Sequence, residues 1–270
     1  MPPTLTVTDV TTVTDYMGFV EASTEIRWYR GVGDESLELL PSLYRHPTIK
    51  DADLLAKQEQ EILKRFQQRS GPYLRNPLRE DDKNLSTLFL MQHFGVPTRL
   101  LDWTENPYLA LFFALTDANY EKTPTGPKYT SDPAVWVLKP EEWNNKIFPY
   151  ATPPGPPGII SPPNDDELNG YLPIARGPKE AVALLGIHNS PRIVAQKGVF
   201  TLFGSAVVSM DQAYIDSDFP QDCLVKLRID KDLVSDLLGA MTRIGITDSV
   251  VFPELEGLAR EIKREFKYWV

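Results

Sequence analysis

Hydrophobic and polar positions follow two rhythms along this chain. Leu54, Leu55, Ile62, Leu63 and Phe66 share one helical face with charges on the other, so Asp51 to Arg69 predicts an amphipathic helix. Cys223, Val225, Leu227 and Ile229 alternate with Lys226 and Arg228, the pattern of a strand with two different faces. Asp230 then caps a helix carrying Leu233, Val234, Leu237, Leu238 and Met241. Leu255, Leu258, Ala259, Ile262, Phe266 and Trp269 lay an apolar stripe along a terminal helix. Met1 to Val13 reads as extended and Asp15 to Glu21 as a short helix. Ile26 to Tyr29 predicts a strand running into Arg30, after which Gly31 and Gly33 let the backbone turn tightly and approach a ligand. Leu85 to His93 is a helix ended by Gly95 and Pro97. Glu121 to Pro133 reads as a loop, Gly177 to His188 as a helix, and Ala134 to Leu138 and Ser249 to Phe252 as short strands. Arg192 to Phe203 reads as a strand with an irregularity at Gly198.

The richest stretch is Met91 to Leu115. Gln92, His93, Arg99, Asp102, Trp103 and Thr104 crowd together and an apolar run, Tyr108 to Leu115, follows at once. Polar groups this dense beside a buried segment are satisfied inside the protein or line a pocket. The two parts predict a strand and then a core helix capped by Asn106, with Pro107 in its first turn where a missing N–H costs nothing. The helix is too short to span a membrane.

Strands interrupted by helices and long loops point to an α+β fold. We read residues 1–270 as one domain with a Pro-rich surface loop at about 145–175, because strands resume on both sides of it. No glycine-rich phosphate loop follows a strand, which argues against Rossmann and P-loop folds. The net charge of −9 argues against broad electrostatic binding of nucleic acid. Cys223 stands alone, so no internal disulfide forms, and His46, His93 and His188 are too scattered for a metal motif. The first residues carry no basic and apolar signal, which predicts a cytoplasmic location.

The segments Trp28–Gly31 (WYRG), Leu39–Arg45 (LLPSLYR) and Gln92–Ala114 (QHFGVPTRLLDWTENPYLALFFA) resemble the FRG domain, a prokaryotic family named for a Phe-Arg-Gly motif; Tyr29 stands in place of the phenylalanine. Arg192–Phe200 and Val251–Ala259 look like later motifs of the same family. A weaker resemblance is to arginine-type ADP-ribosyltransferases, whose first motif is a strand ending in Tyr-Arg-Gly. That second resemblance implies a split, mixed or antiparallel sheet with flanking helices. It also implies NAD as substrate, with ADP-ribose passed to a protein, nucleic-acid or small-molecule acceptor. A toxin or phage-defence effector, with an antitoxin or immunity partner, is the corresponding role. An NAD glycohydrolase is the close variant, and a non-catalytic nucleotide- or protein-binding module is the rival reading.

On this reading Arg30 holds the NAD phosphates, with Gly31, His93, Asp102, Trp103 and Thr104 completing the binding cleft and Trp103 or a nearby tyrosine stacking on nicotinamide. The stretch where that family carries its catalytic glutamate offers Gln196 and no acid, so Gln196, Glu254 and Glu256 become the catalytic candidates. Each residue also has a plainer role: Arg99 with Asp102 as a buried structural pair, Thr104 as a helix cap, Trp103 as core, and Glu254 and Glu256 as first-turn acids favourable to a helix dipole. A hydrolase using His93 and Asp102 has no nucleophile at a recognisable turn.

Overall fold

The computed structural model describes residues 2–74, 83–148, 158–159, 179–186 and 191–268. Most of the Pro-rich segment, along with His188 and Trp269, lies outside them. The strands are β1 (Thr6–Val10), β2 (Trp28–Val32), β3 (Leu100–Thr104), β4 (Tyr120–Thr123), β5 (Gly126–Tyr129), β6 (Ala134–Leu138), β7 (Val182–Leu185), β8 (Gly198–Leu202) and β9 (Leu224–Ile229). The helices are α1 (Val13–Glu21), α2 (Ala52–Ser70), α3 (Lys83–His93), α4 (Pro107–Thr116), α5 (Pro140–Ile147), α6 (Pro191–Gln196), α7 (Met210–Asp216), α8 (Val234–Arg243), α9 (Asp248–Val251) and α10 (Leu255–Glu265). No helix of the described residues is long and apolar enough to cross a membrane.

Seven strands form one sheet in the order β1-β9-β6-β2-β3-β8-β7, and β4 and β5 form a separate hairpin. Only β1 and β9 run parallel; the other neighbours are antiparallel, giving the α+β architecture with flanking helices. The ladders are uneven. β2 pairs with β6 over Trp28 to Val32, and β3 with β8 over Leu100 to Thr104. Between β2 and β3 the register holds one pair, Tyr29 with Thr104. The sheet is continuous by that single link and otherwise parts there.

Each half has its own apolar packing. Tyr29, Val135, Val137 and Leu227 pack with α4 and α8, while Leu100, Val182, Leu184, Phe200 and Leu202 pack with Leu88, Phe89 and Met91 of α3. A third cluster on Trp28, Trp103, Trp136 and Trp143 spans both halves. The caps are those expected from their side chains: Thr12 and Asp15 form a capping box at α1, Asp51 accepts from Leu54 N at α2, and Asn106 accepts from Tyr108 N at α4.

Several expectations are corrected. Gly31 lies within β2, not in a turn. A Cβ there would fall 2.0 Å from the Ala110 carbonyl oxygen, and one at Gly33 would fall 1.8 Å from that of Asp117. These glycines let α4 and its C-cap lie directly against β2 and the residue after it, so the close approach seen here is by a helix. Glu121 to Pro133 contains the β4–β5 hairpin. Val182 to Leu185 is a strand, and Asp248 to Val251 is a helical turn. The Arg192 to Phe203 stretch is part helix and part strand; Lys197, at φ +45°, makes the change of direction between α6 and β8. The stripe of α10 faces outward: Leu255, Leu258, Ile262 and Phe266 are exposed. The opposite side of that helix is held by Gly257 against Phe252, by Glu261 on Ser249 and by Arg264 on Asp248.

Candidate functional site at the parting of the sheet

A cavity of about 270 Å³ opens where β2 and β3 part. Arg30 and Gly31 line it from β2, and Phe113 and Asp117 from α4 and its C-cap. Gln92 and His93 come from α3, Asp102, Trp103 and Thr104 from β3, and Arg192 and Gln196 from α6. Seven of the nine residues singled out from the sequence (Arg30, Gly31, His93, Asp102, Trp103, Thr104, Gln196) meet here; Glu254 and Glu256 are not among the lining residues.

Arg30 spans the gap. Its Nη1 donates to the main-chain carbonyl of Asp102 at 2.7 Å, a cross-sheet bond that the sparse β2–β3 ladder does not supply. Among the described residues it makes no ion pair, so its charge and remaining donors stay available. Burial disfavours the charged guanidinium; Asp102 and Asp117 restore part of the balance, and Arg45 opposes them.

Asp102 is exposed into the cavity, and its Oδ2 accepts from Gln92 Nε2 at 2.6 Å. Gln92 is fixed in turn, because its Oε1 accepts from the Thr98 hydroxyl. Thr98 is gripped by the loop carrying Leu39–Arg45: Thr98 N donates to Ser42 Oγ at 3.1 Å, and Leu43 N donates to the Thr98 carbonyl at 3.0 Å. That loop therefore braces the strand that presents Asp102.

The expected Arg99–Asp102 pair does not form. Arg99 points to the other side and meets Glu59 of α2 at 2.9 Å, both side chains being buried. Alternation along β3 explains this, since residues three apart on a strand face opposite ways. Trp103 is 3% exposed and its indole N–H donates to Thr201 Oγ1 at 3.1 Å. It borders the cavity while its indole is anchored in the core; Tyr29 also lines the cavity, and Phe113 is the half-buried aromatic on the wall. Thr104 is also committed: its hydroxyl donates to the Gln196 carbonyl at 2.6 Å and accepts from Asn106 N at 2.9 Å. Gln196 Nε2 donates to the Val251 carbonyl at 3.2 Å, which ties α6 to α9.

Of the two glutamates, Glu256 is paired with Arg260 at 2.7 Å on the surface. Glu254 is the exposed N-cap residue of α10, and its charge reaches His93. Burial pulls the His93 pKa down from the ordinary 6.5, Arg192 adds to this, and Glu254 opposes it. His93 therefore stays neutral to lower pH than a free histidine, and the stability it contributes is lost as pH falls from its unfolded pKa towards the lower folded one. In an NMR titration Arg192→Gln is expected to raise the His93 midpoint and Glu254→Gln to lower it further. Identical midpoints in both variants would remove these neighbours from the site.

Sequence reasoning missed Phe113, Asp117 and Arg192. Burial raises the Asp117 pKa against the pull of Arg30 and Arg260. Water reaches it through the cavity, although protein surrounds it on most sides. Arg192 stacks over Phe252 at 4.8 Å, with Arg260 on the same ring at 4.9 Å.

One comparison bears on this arrangement. Residues 25–123 match the FRG domain. No curated protein and no solved structure matches the chain. The FRG segment contains β2, α2, α3, β3, α4 and β4. It therefore supplies Arg30, Gln92, His93, Asp102 and Asp117, while Arg192, Gln196, Gly198 and Phe200 close the cavity from the chain that follows.

Proposed function

We propose that the FRG cavity binds NAD and that the protein cleaves the nicotinamide–ribose bond, passing ADP-ribose to an acceptor or to water. The observation that carries this reading is the placing of Arg30 and Asp102 on one cavity at the sheet's parting. Arg30 makes no ion pair among the described residues and so offers its guanidinium, the group suited to a phosphate. Asp102 keeps a carboxylate facing the same space, and positive charge developing on a ribose carbon is stabilised by a positioned carboxylate. The parted, mainly antiparallel sheet is in keeping with a fold of ADP-ribosyltransferase type. The acid in this reading is Asp102, because Glu256 is committed to Arg260 and Glu254 stands off the cavity wall.

A toxin or phage-defence effector acting on a protein or nucleic acid, restrained by an antitoxin or immunity partner, is the biological role we attach to this chemistry. The rival is a non-catalytic nucleotide- or protein-binding module, favoured by the neutral Gln196 beside β8.

Incubation with labelled NAD, following nicotinamide release and transfer of label to cell extract, tests the reading. Arg30→Ala is expected to weaken NAD binding by about tenfold or more, the usual loss of a hydrogen bond to a charged group. NAD should stabilise the wild type against heat, and Arg30→Ala much less. Equal protection of both proteins would take Arg30 out of the binding site. Protection without nicotinamide release, across a range of acceptors, would favour the binding module.

A further inference from the structure

The cavity has a second cation that makes no ion pair among the described residues. Arg192 reaches it from α6, on the opposite side of the sheet's parting from Arg30. Most of the better-buried arginines here meet a carboxylate: Arg99 has Glu59, and Arg264 has Asp248. Arg192 has a ring instead. Its guanidinium lies over Phe252, which holds the group in place without cancelling its charge. Phe252 is itself fixed edge-on against Phe113 of the cavity wall and covered by Arg260.

The two arginines reach the cavity from different elements, β2 and α6. The charges that bear on Arg30 are those of Asp102, Arg45 and Asp117, while Arg192 bears on His93. Two cations presented to one cavity from β2 and α6 suit two anionic groups of one ligand. His93 lies on the same cavity beside Arg192, where a ring nitrogen can hydrogen-bond to an anion.

We propose that Arg192 is the second anion-binding residue of this cavity and that the ligand carries two linked phosphates, bridging the two halves of the sheet. The proposal rests on reading the cavity as a phosphate site, and it names the class: a diphosphate, in preference to a monophosphate. The ligand then ties together halves whose strand pairing is the single Tyr29–Thr104 pair, supplemented by the Arg30 bond. It also explains why the FRG segment is not sufficient for the site, since Arg192 lies outside residues 25–123.

The test uses inorganic pyrophosphate and orthophosphate, measured by calorimetry on the full chain at one fixed salt concentration. The wild type is expected to bind pyrophosphate roughly tenfold or more tightly than orthophosphate, as a second charge-assisted contact provides. Arg192→Gln should bring the two anions to about the same affinity while leaving the thermal midpoint and the orthophosphate affinity nearly unchanged. Arg192→Lys should keep part of the preference, and Phe252→Leu, which loosens the guanidinium's seat, should lose part of it. A wild type without preference for pyrophosphate, or a preference that survives in Arg192→Gln, overturns the proposal. Pyrophosphate has no glycosidic bond, so its binding is independent of turnover. A retained preference without nicotinamide release would sink the glycosidic reading alone, and release without the preference would sink the two-phosphate clamp alone.

Discussion

Glu59→Gln is expected to destabilise the protein by about 3–5 kcal/mol, and by more than Arg99→Met does. The pair is among the most enclosed in the molecule, with side chains 0% and 5% exposed. Arg99 donates through Nε to Glu59 and through Nη1 to the Phe203 carbonyl at 3.2 Å, and its Nη2 has no partner. Removing the carboxylate leaves a guanidinium that cannot shed its proton at any working pH. Removing the arginine leaves a glutamate that can be neutralised, and burial already pushes the Glu59 pKa up against the pull of Arg99. The asymmetry is therefore one of escape: one partner has a neutral form within reach and the other has none. The double variant Glu59→Leu with Arg99→Met should recover most of the loss, because the pair's attraction is offset by its desolvation. Urea unfolding at constant m-value measures all three. A single-variant order in the opposite sense would contradict the argument.

The elements legible in the sequence are those whose pattern is long and whose ends carry a specific side chain. α2 declares itself through Leu55, Ile62 and Phe66 behind Asp51, α4 through Asn106 and Pro107, and β9 through clean alternation. The misread ones are short. Val182 to Leu185 is fully apolar, and a buried run of four residues has no period to separate strand from helix. Six residues of α6 precede β8 with only Gln196 and Lys197 between their apolar runs, and the turn between them falls on that lysine, not on a glycine. The β4–β5 hairpin is polar on both faces, so alternation leaves no trace.

The same logic divides the site. Arg30, His93, Asp102 and Gln196 stand in dense polar clusters beside apolar runs, a signal visible without a structure. Asp117 and Arg192 look like ordinary surface charges, and only the strand order β2-β3-β8 brings them to one cavity. Gly31 signals close approach rather than a turn: a glycine in a strand reports another backbone lying against it, and here that backbone belongs to α4. Arg99 and Glu59 lie 40 residues apart, so nothing local marks them as partners, while the nearby Asp102 offers a false one.

That false partner matters for the chemistry. Arg99 pairs with Glu59, and Arg30 meets the Asp102 main chain and not its carboxylate, so changing Asp102 breaks no ion pair, although it removes the largest favourable charge acting on Arg30. Asp102→Asn keeps the size of the side chain and an oxygen for the Gln92 amide, and removes the charge. It is expected to slow nicotinamide release by roughly 10²–10³-fold with little change in NAD affinity, since the interaction strengthens only as positive charge builds on the ribose. Glu256→Gln should leave release unchanged, because that carboxylate is paired on the surface with Arg260. Glu254→Gln should act weakly and through His93, whose pKa it supports from beyond the cavity wall. Gln196→Ala should affect binding more than turnover, because its amide ties α6 to the Val251 carbonyl and carries no charge to the reacting bond. Single-turnover measurements on the four variants separate these effects from product release. Wild-type rates in Asp102→Asn, with release lost in Glu254→Gln, would move the acid from the central strand to the N-terminus of α10.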